Sequence, residues 1–280
     1  MSVEEASAKR FVAELERHQS DEELEKIQRY FKTDAGEYGE GDQFIGVRMG
    51  QVFELAKRYI EMPPSEIEKL LESPIHEVRA GGVSIMDKQA RRKRTPEVRR
   101  RELYELYLRR PDRINNWDLV DLGAPFVIGG YLREGPRDVL RKLARSQNVW
   151  ERRTAIYATT YFIRQGEADD TFEIAEMLLD DEEDLIQKAV GGCLRWAGGK
   201  HPERLRPFST SARRRCRRRC FATRPRSSTR PSGLATGRSG DRSPADRLRS
   251  RCNTAARRCV RAQWPVRHIQ GPMRPGGGYG

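Results

Sequence analysis

Apolar residues recur at every third or fourth position through most of the first 206 residues, and this spacing restricts the fold more than any other feature of the chain. Val52, Leu55 and Tyr59 illustrate it, because residues with this spacing lie on one face of an α-helix. Pro63 and Pro64 follow and end that helix, since proline has no backbone N–H to donate. No segment shows the alternation of a half-buried strand. The sequence therefore predicts an all-α fold.

The predicted helices repeat along the chain. Besides the helix above, the spacing predicts helices around residues 11–15, 24–31, 67–71, 75–90, 96–109, 116–132, 137–145, 148–164, 171–180 and 183–197. Three of them carry a basic residue followed by small ones in the second turn, at Arg79, Arg153 and Lys188, which are 74 and 35 residues apart. A period of about 37 residues is typical of helix pairs stacked as a solenoid, whose corresponding positions line one concave groove. We expect a groove that fits a DNA backbone; salt bridges between repeats are the alternative for Arg79 and Lys188.

The composition changes abruptly near Pro207. Residues 207–280 contain nineteen arginines and two aspartates but no lysine or glutamate, a net charge of +17 against +13 for the whole chain, so that residues 1–206 carry −4. We expect residues 1–206 to form the folded domain, truncated at its C-terminal end, and residues 207–280 to be a disordered Arg-rich tail. The sudden loss of the helical pattern favours out-of-frame translation of this tail; a genuine nucleic-acid-binding extension is the alternative.

The cysteines follow the same division. Cys193 is the only cysteine before residue 207, which is typical of a reducing, intracellular setting. Cys216 and Cys220 stand among six arginines whose charge would repel a divalent cation, so we expect no metal and no cofactor. No apolar run approaches the roughly 20 residues of a membrane span, and the N-terminus lacks the apolar core of a signal peptide. We expect no membrane association, and a cytoplasmic, nucleoid-associated monomer.

Trp117 and Asp121 are the first candidates for a reactive site. Four residues apart on a helix, the indole and the carboxylate share one face. An aromatic face attracts a cation, and a carboxylate stabilises positive charge that develops beside it. A core tryptophan next to a solvated or salt-bridged aspartate is the other interpretation of the pair. Asp118 lies about 100° further round the helix, so we expect it to have a structural role.

Five blocks of sequence carry a resemblance to a known family. In order over roughly residues 20–206, they are Arg29-Tyr30-Phe31-Lys32, Phe44-Ile45-Gly46-Val47-Arg48, Trp117-Asp118-Leu119-Val120-Asp121, Asn148-Val149-Trp150-Glu151-Arg152-Arg153 and Asp184-Leu185-Ile186-Gln187-Lys188-Ala189-Val190-Gly191. With these blocks the chain resembles the DNA alkylation repair family, the HEAT-like-repeat alkylpurine DNA glycosylases. The resemblance implies a HEAT-like α-α superhelix. It also implies a base-excision-repair hydrolase that removes N3- or N7-alkylated purines from double-stranded DNA without extruding the base.

The resemblance further implies roles for single residues. Asp121 matches the catalytic carboxylate, and Trp117 matches the aromatic residue that packs against the damaged nucleotide. Arg153 matches the basic residue that holds the phosphate next to the lesion. The expected DNA contacts are completed by Tyr30 at the groove wall, together with Arg48, Arg79 and Lys188.

One carboxylate suffices for this chemistry. Alkylation at N3 or N7 leaves the purine cationic, so the base departs neutral and needs no general acid. The barrier that remains is the positive charge on an oxocarbenium-like sugar, which a carboxylate stabilises while it orients the attacking water. Most glycoside hydrolases need two carboxylates, because their leaving group must be protonated.

Two departures from the family pattern lead us to expect weakened activity. The family's second groove tryptophan would follow Val190-Gly191, where this chain has Gly192, and Trp196 one turn later is the aromatic residue nearest in sequence. The solenoid also lacks its last helices, and terminal repeats normally cover its apolar core. The alternative function is therefore a non-catalytic HEAT-like protein that binds branched or distorted DNA, and a third is a protein–protein scaffold with no affinity for DNA.

Overall fold

The computed structural model describes residues 6–31, 38–205 and 208, and these residues form an all-α structure, as predicted. Eleven α-helices follow one another within this part of the chain: α1 Ala8–Glu16, α2 Asp21–Tyr30, α3 Met49–Arg58, α4 Pro64–Leu71, α5 His76–Arg91, α6 Glu97–Arg109, α7 Trp117–Gly123, α8 Asp138–Ala144, α9 Val149–Gln165, α10 Asp169–Met177 and α11 Asp184–Lys200. The predicted tail, residues 207–280, lies outside the described residues except for Phe208.

The helices pack in an order that matches stacked pairs. Helix α5 packs against α3 and α7, and α9 packs against α7 and α11, so these five helices form one continuous row. Helices α4, α6, α8 and α10 lie between them in sequence, and α4 packs against α6 as α8 packs against α10. Such nearest-neighbour packing is the arrangement that a helical-repeat solenoid requires. The solenoid and its concave groove remain predictions.

The prediction of one α-helix over residues 116–132 is wrong for the second half of that segment. Helix α7 ends at Gly123, and a π-helix, Ala124–Gly129, and a short 3-10 turn, Tyr131–Arg133, follow it. Pro125 has no N–H to continue the α-helical ladder, and the N–H of Gly130 instead bonds to the carbonyl of Pro125 over 3.0 Å. A Cβ on Gly129 would stand 2.2 Å from the carbonyl oxygen of Ala158, so glycine lets the π-helix approach α9 closely.

The described helices bury a continuous apolar core. Phe11 of α1 packs edge-on against Tyr59, with ring centroids 5.2 Å apart, and both side chains are fully buried. Helices α5 and α9 are buried over most of their lengths, in agreement with their place in the middle of the row. None of the helices described in the structure is long and apolar enough to cross a membrane.

Candidate active site

Asp121 and Arg153 form a buried ion pair between α7 and α9. Nε of Arg153 donates to one carboxylate oxygen of Asp121 over 2.8 Å, and an η-nitrogen donates to the other over 2.9 Å. Only 7% of the Asp121 side chain and 6% of the Arg153 side chain are exposed. The second η-nitrogen donates to the carbonyl of Leu185 over 2.7 Å, which ties the pair to the start of α11. Two parallel hydrogen bonds of this kind fix the plane and the direction of the carboxylate.

Burial and charge act in opposite directions on this pair. Burial raises the pKa of Asp121, and the Arg153 guanidinium opposes that rise. Burial lowers the pKa of Arg153, but the charges of Asp121 and Tyr157 and the hydrogen bonds to Asp121 together outweigh it and hold that pKa above its usual value. The phenol of Tyr157 lies 3.4 Å from the guanidinium, and burial raises the pKa of this phenol well above its ordinary value. The site therefore holds one carboxylate in a fixed orientation against a permanent cation.

Small residues allow α7 to lie close enough for this contact. A Cβ on Gly123 would be 2.8 Å from the ring of Tyr107 and 2.9 Å from a methyl group of Val83, so only glycine fits without a shift. The hydroxyl of Tyr107 shares a hydrogen bond of 3.2 Å with Thr154, the residue after Arg153. Packing against two neighbouring helices thus sets the position of Asp121, two residues before Gly123.

Trp117 belongs to an aromatic cluster at the start of α7. Its indole is half-buried and stacks on Phe31, with centroids 5.8 Å apart and planes inclined by 20°. Phe31 also contacts Phe44 and His76, at 5.1 and 4.9 Å between ring centroids. The three segments that meet here, around residues 31, 44 and 117, come from the first three blocks that carry the family resemblance. The cluster holds the tryptophan one helical turn before Asp121.

His76 anchors the same turn through a second buried network. Its Nε2 lies 2.8 Å from a carboxylate oxygen of Asp118 and its Nδ1 lies 3.3 Å from Asp42, while the ring itself is fully buried. Burial lowers the pKa of His76, but the charges and hydrogen bonds of Asp118 and Asp42 outweigh it and raise the pKa to about 9. Asn116 donates to Asp42 over 2.9 Å and accepts from the N–H of Trp117 over 2.8 Å. Asp118 thus has a structural role, but as the partner of a histidine and not as a helix cap or the partner of an arginine.

A buried glutamate shapes the loop that brings Asp42 and Phe44 to the site. The carboxylate of Glu77 accepts hydrogen bonds from the backbone N–H groups of Ile45, Gly46 and Val47, at 3.0 to 3.3 Å for its Oε1. Gly46 has a φ of +76°, and a Cβ there would be 2.2 Å from the carbonyl oxygen of Ser20. This explains why the Phe44–Arg48 block contains glycine: the loop must turn tightly around a buried carboxylate.

The interpretation of Arg79 as a groove residue is wrong. Only 2% of the residue is exposed, and its guanidinium donates to Asp42 over 2.5 Å and to the carbonyls of Ser73 and Pro74. A guanidinium that is buried and bonded in this way has no surface to offer a phosphate. The structure instead has a salt bridge, which was the alternative prediction for Arg79, although its partner Asp42 lies in a loop.

The other predicted DNA contacts lie at the surface or outside the described part. Arg48 is 65% exposed in its side chain and pairs with Glu23 of α2 over 2.7 Å. Lys188 is 50% exposed and pairs with Asp184 in its own helix over 2.7 Å. Tyr30 ends α2, and its side chain lies outside what the structure describes. Arg48 and Lys188 therefore remain predicted DNA contacts, and Tyr30 remains an untested one.

The position of the missing tryptophan is open. Apart from the backbone of its own helix and its chain neighbours, no described atom lies within 4 Å of a Cβ built on Gly192, so the described part of the chain leaves room for a larger side chain there. Cys193, the next residue, is buried beside the ion pair: burial raises the pKa of its thiol to about 12, and the charge of Asp121 adds to the rise. Trp196 does not fill the gap, because its ring packs on the guanidinium of Arg164 at 4.9 Å.

Comparison with known proteins identifies the family. A protein-family model described as DNA alkylation repair enzyme matches residues 11–222, which is well over half of the chain. The chain belongs to this family. Membership in the DNA alkylation repair enzyme family indicates an enzyme with a role in the repair of alkylated DNA, and DNA as its substrate. No curated protein matches the chain.

Sequence reasoning missed several residues of this site. His76 and Asp42 gave no signal in the sequence. The two carboxylates bonded to His76, those of Asp42 and Asp118, lie 34 and 42 residues away from it along the chain. Tyr157 was within reach of a sequence argument, since it lies four residues after Arg153 on one helix. Among the residues that the structure describes, no group of three or more His, Cys, Asp or Glu side chains is arranged to hold a metal ion.

Proposed function

We propose that this DNA alkylation repair enzyme is a glycosylase that hydrolyses the N-glycosidic bond of N3- or N7-alkylated purines in duplex DNA, with the damaged base left near the stack. The observation that carries the proposal is the Asp121 carboxylate, fixed by two hydrogen bonds from Arg153 and placed one turn after the half-buried indole of Trp117. The pair combines a negative charge and an aromatic face on one helix, as this substrate requires.

Pre-organisation is what the ion pair contributes to this reaction. A charge stabilises a transition state best when it is already in place, because no reorganisation is then needed as the sugar becomes positive. Arg153 supplies this by holding both oxygens of Asp121, and Leu185 and Tyr157 hold Arg153 in turn. We therefore assign Arg153 a positioning role at Asp121. The phosphate contact that the family resemblance implies would require the guanidinium to exchange one of its present partners for the phosphate, because all three of its nitrogens are bonded.

The reaction needs no proton donor in this arrangement. The alkylated purine carries a positive charge, so the electrons of the breaking glycosidic bond neutralise it and the base leaves without protonation. Positive charge moves to the sugar, where Asp121 stabilises it and orients the water that attacks the anomeric carbon. The water's proton passes to solvent or to Asp121, which completes the hydrolysis.

Release of 7-methylguanine and 3-methyladenine from methylated duplex DNA tests the proposal. Wild-type protein should release both bases, and Asp121→Asn should lower the rate by about 100- to 1,000-fold, the usual cost of removing one transition-state contact. Asp138→Asn is the matched control, because Asp138 is 86% exposed on α8 and should leave the rate unchanged. A wild-type protein that folds and binds duplex DNA but releases no base would refute the glycosylase function.

A second variant separates chemistry from folding. Asp121→Asn leaves Arg153 buried without its carboxylate, and the loss of rate could then follow from lost stability. The double variant Asp121→Asn with Arg153→Gln replaces the ion pair by two amides and removes the uncompensated charge. We expect this protein to recover stability towards wild type and to remain inactive. Recovery of activity together with stability would show that Asp121 acts only through the fold.

A specific observation also favours the alternative function, a non-catalytic protein that binds branched or distorted DNA. Both oxygens of Asp121 are already bonded to Arg153, and Gly192 leaves open the space where the family has an aromatic wall. This alternative predicts that a DNA junction binds more tightly than a linear duplex. It also predicts that Asp121→Asn leaves junction binding unchanged while Arg48→Ala or Lys188→Ala weakens it.

A further inference from the structure

Two arginines and two aromatic rings form a ladder across four neighbouring elements. The guanidinium carbon of Arg91, in α5, lies 3.7 Å from the ring centroid of Phe126 in the π-helix. The guanidinium carbon of Arg164, in α9, lies 5.6 Å from the same ring and 4.9 Å from the ring of Trp196 in α11. These four residues, Arg91, Phe126, Arg164 and Trp196, are called the arginine–aromatic ladder below. They bridge the helices that also carry the candidate active site.

The ladder carries more positive than negative charge. Asp87 is its nearest carboxylate, and that carboxylate is bonded to Nε of Arg91 over 2.7 Å. Arg164 forms no ion pair with any described residue, and its buried Nε has no hydrogen-bond partner there. Burial lowers the pKa of Arg164, and the positive charge of Arg91 lowers it further. Two cations that repel each other in a partly buried place favour the binding of an anion between them.

The geometry of the ladder suits a phosphate. The side chain of Arg91 is 38% exposed, and Arg164, Phe126 and Trp196 are half-buried, so a ligand can reach the ladder from solvent. Rings that cover the faces of a guanidinium leave its N–H groups to bond in the guanidinium plane. A planar, pre-oriented set of N–H donors matches the oxygens of a phosphate.

The register of α9 relates the ladder to the candidate active site. Arg153 and Arg164 are 11 residues apart, which is three turns and about 20°, so both lie on one face of this helix. The half-buried side chains of Tyr157 and Tyr161 lie between them on that face. At 1.5 Å per residue the two arginines are about 16 Å apart, further than the width of the major groove, about 12 Å. A duplex that lies along this face would therefore meet Arg164 about 16 Å from the Asp121–Arg153 pair.

We propose that the arginine–aromatic ladder binds a phosphate of the DNA backbone while the Asp121 end of α9 meets the damaged nucleotide. The proposal rests on the proposed function, which gives the ligand, a DNA duplex, and the end of α9 that faces the lesion. It assigns Arg164 a direct contact with DNA at a place where neither the sequence blocks nor the repeat pattern put one. The ladder would fix the register of the duplex without reading its sequence.

The salt dependence of binding tests the contact, with full-length protein and an alkylated duplex. Arg164→Met keeps an apolar side chain between the two rings and removes the charge, and Arg164→Lys keeps the charge. Losing one phosphate contact lowers the slope of log K against log salt by about 0.9. Arg164→Met should show this loss of slope. The ratio of the wild-type affinity to the affinity of Arg164→Met should then fall about three-fold between 50 and 200 mM salt. Arg164→Lys should keep most of the slope.

Arg101→Met is the control for net charge, because Arg101 is 69% exposed on α6 and pairs with Glu105. Its slope should equal that of the wild type. Equal slopes for Arg164→Met and Arg101→Met, with both proteins folded, would overturn the proposal and leave the ladder as packing alone. Saturable binding of inorganic phosphate that Arg164→Met abolishes, with an unchanged DNA slope, would also overturn it, in favour of a free-anion site.

Neutral phosphates locate the contact on the duplex. Single methylphosphonates placed along each strand should weaken wild-type binding at several positions, and at one of them Arg164→Met should cause no further loss. Additive losses at every position would contradict a direct contact. Base release by the wild-type protein reports separately on the glycosylase function. If the wild-type protein releases no base but its salt slope still depends on Arg164, the phosphate contact at the ladder is supported and the glycosylase function is refuted. If the protein releases the base and its salt slope does not depend on Arg164, the glycosylase function is supported and the phosphate contact is refuted.

Discussion

Two carboxylates on α7, three residues apart, show how differently a buried acid can be held. Asp118 is bonded to His76 and Asp121 is bonded to Arg153, in each case to a base from another helix. The side chain of Asp118 is 18% exposed and that of Asp121 is 7% exposed. The partners differ in chemistry, because a histidine loses its charge within the accessible pH range and an arginine does not.

This difference assigns the two acids separate tasks. In the proposed reaction the carboxylate must be ionised and fixed, and Arg153 fixes Asp121 by two hydrogen bonds and favours its ionised form against the effect of burial. The His76 pair instead ties the first turn of α7 to α5 and to the loop that carries Asp42. Asp118 and His76 therefore support the site that Asp121 and Trp117 form.

The largest effect on stability should come from removing the cation of the Asp121 pair. Arg153→Gln leaves a buried carboxylate without its partner, which should lower the free energy of unfolding by about 3–5 kcal/mol. Urea denaturation at pH 7.5 measures this loss. Arg141→Gln is the control, since Arg141 forms a comparable two-bond pair with Glu173 at the surface and should lose less than about 1 kcal/mol. Similar losses in the two variants would mean that burial adds nothing to the Asp121 pair.

The next largest effect should be a pH dependence that belongs to the other pair. The pKa of His76 is raised to about 9 in the folded protein, above its ordinary value of 6.5. The stabilisation is then fully present below about pH 6.5 and is lost as the pH rises through 9, in total by about 3 kcal/mol at 1.36 kcal/mol per pKa unit. Asp42, Asp118 and Arg79 are the charged groups that face the ring: the two carboxylates raise the pKa of His76, and the charge of Arg79 lowers it.

Unfolding by urea at pH 6, 7.5 and 9.5 measures that dependence. His76→Gln should be less stable than wild type at pH 6, and the difference should narrow as the pH rises to 9.5. His18→Gln is the control, because His18 is exposed and contacts only Gln51 among the described residues. A wild-type protein whose stability relative to His76→Gln stays constant from pH 6 to 9.5 would show that His76 is not the titrating partner of Asp118.

Sequence periodicity predicted most of the helices, but it did not predict which groups the charged residues on those helices bond to. The helices predicted over 75–90 and 183–197 agree within a few residues with His76–Arg91 and Asp184–Lys200, since burial of one face leaves a clear pattern. The pattern places Arg79 on a helix but does not reveal Asp42, because that partner stands in a loop 37 residues earlier. The same limit hid His76, whose environment depends on three segments brought together only by folding.

A smaller effect should come from the packing that holds α7 in place for both acids. In Gly123→Ala the new Cβ would meet Tyr107 at 2.8 Å and Val83 at 2.9 Å, and overpacking of this kind costs about 1–3 kcal/mol. The midpoint temperature of thermal unfolding and the rate of base release should both be lower than in the wild-type protein. Gly199→Ala is the matched control, because a Cβ on Gly199 would meet no side chain of the described residues within 4 Å, and a helical alanine should stabilise by up to about 1 kcal/mol. Equal behaviour of the two variants would show that α7 can shift without harm.

The smallest effect on stability should come from placing a side chain at Gly192. This glycine precedes Cys193, which lies beside the Asp121 pair, and no side chain of the described residues lies within 4 Å of a Cβ built on it. Gly192→Trp should therefore change the free energy of unfolding by no more than about 0.5 kcal/mol, as an unobstructed surface substitution does. Its indole should add an aromatic contact to the damaged duplex worth about 1 kcal/mol, or roughly five-fold in affinity.

Gly199→Trp supplies the comparison for that variant. Gly199 lies seven residues, or two turns, after Gly192 on the same face of α11, and a Cβ there would likewise meet no described side chain within 4 Å. Affinity for an alkylated duplex, measured by fluorescence anisotropy, should therefore rise for Gly192→Trp and stay unchanged for Gly199→Trp. The same gain in both variants would indicate that any added indole on α11 strengthens DNA binding. In that case the lesion would not lie beside the Asp121 pair at the start of α9, and Asp121 would join Asp118 as a structural acid.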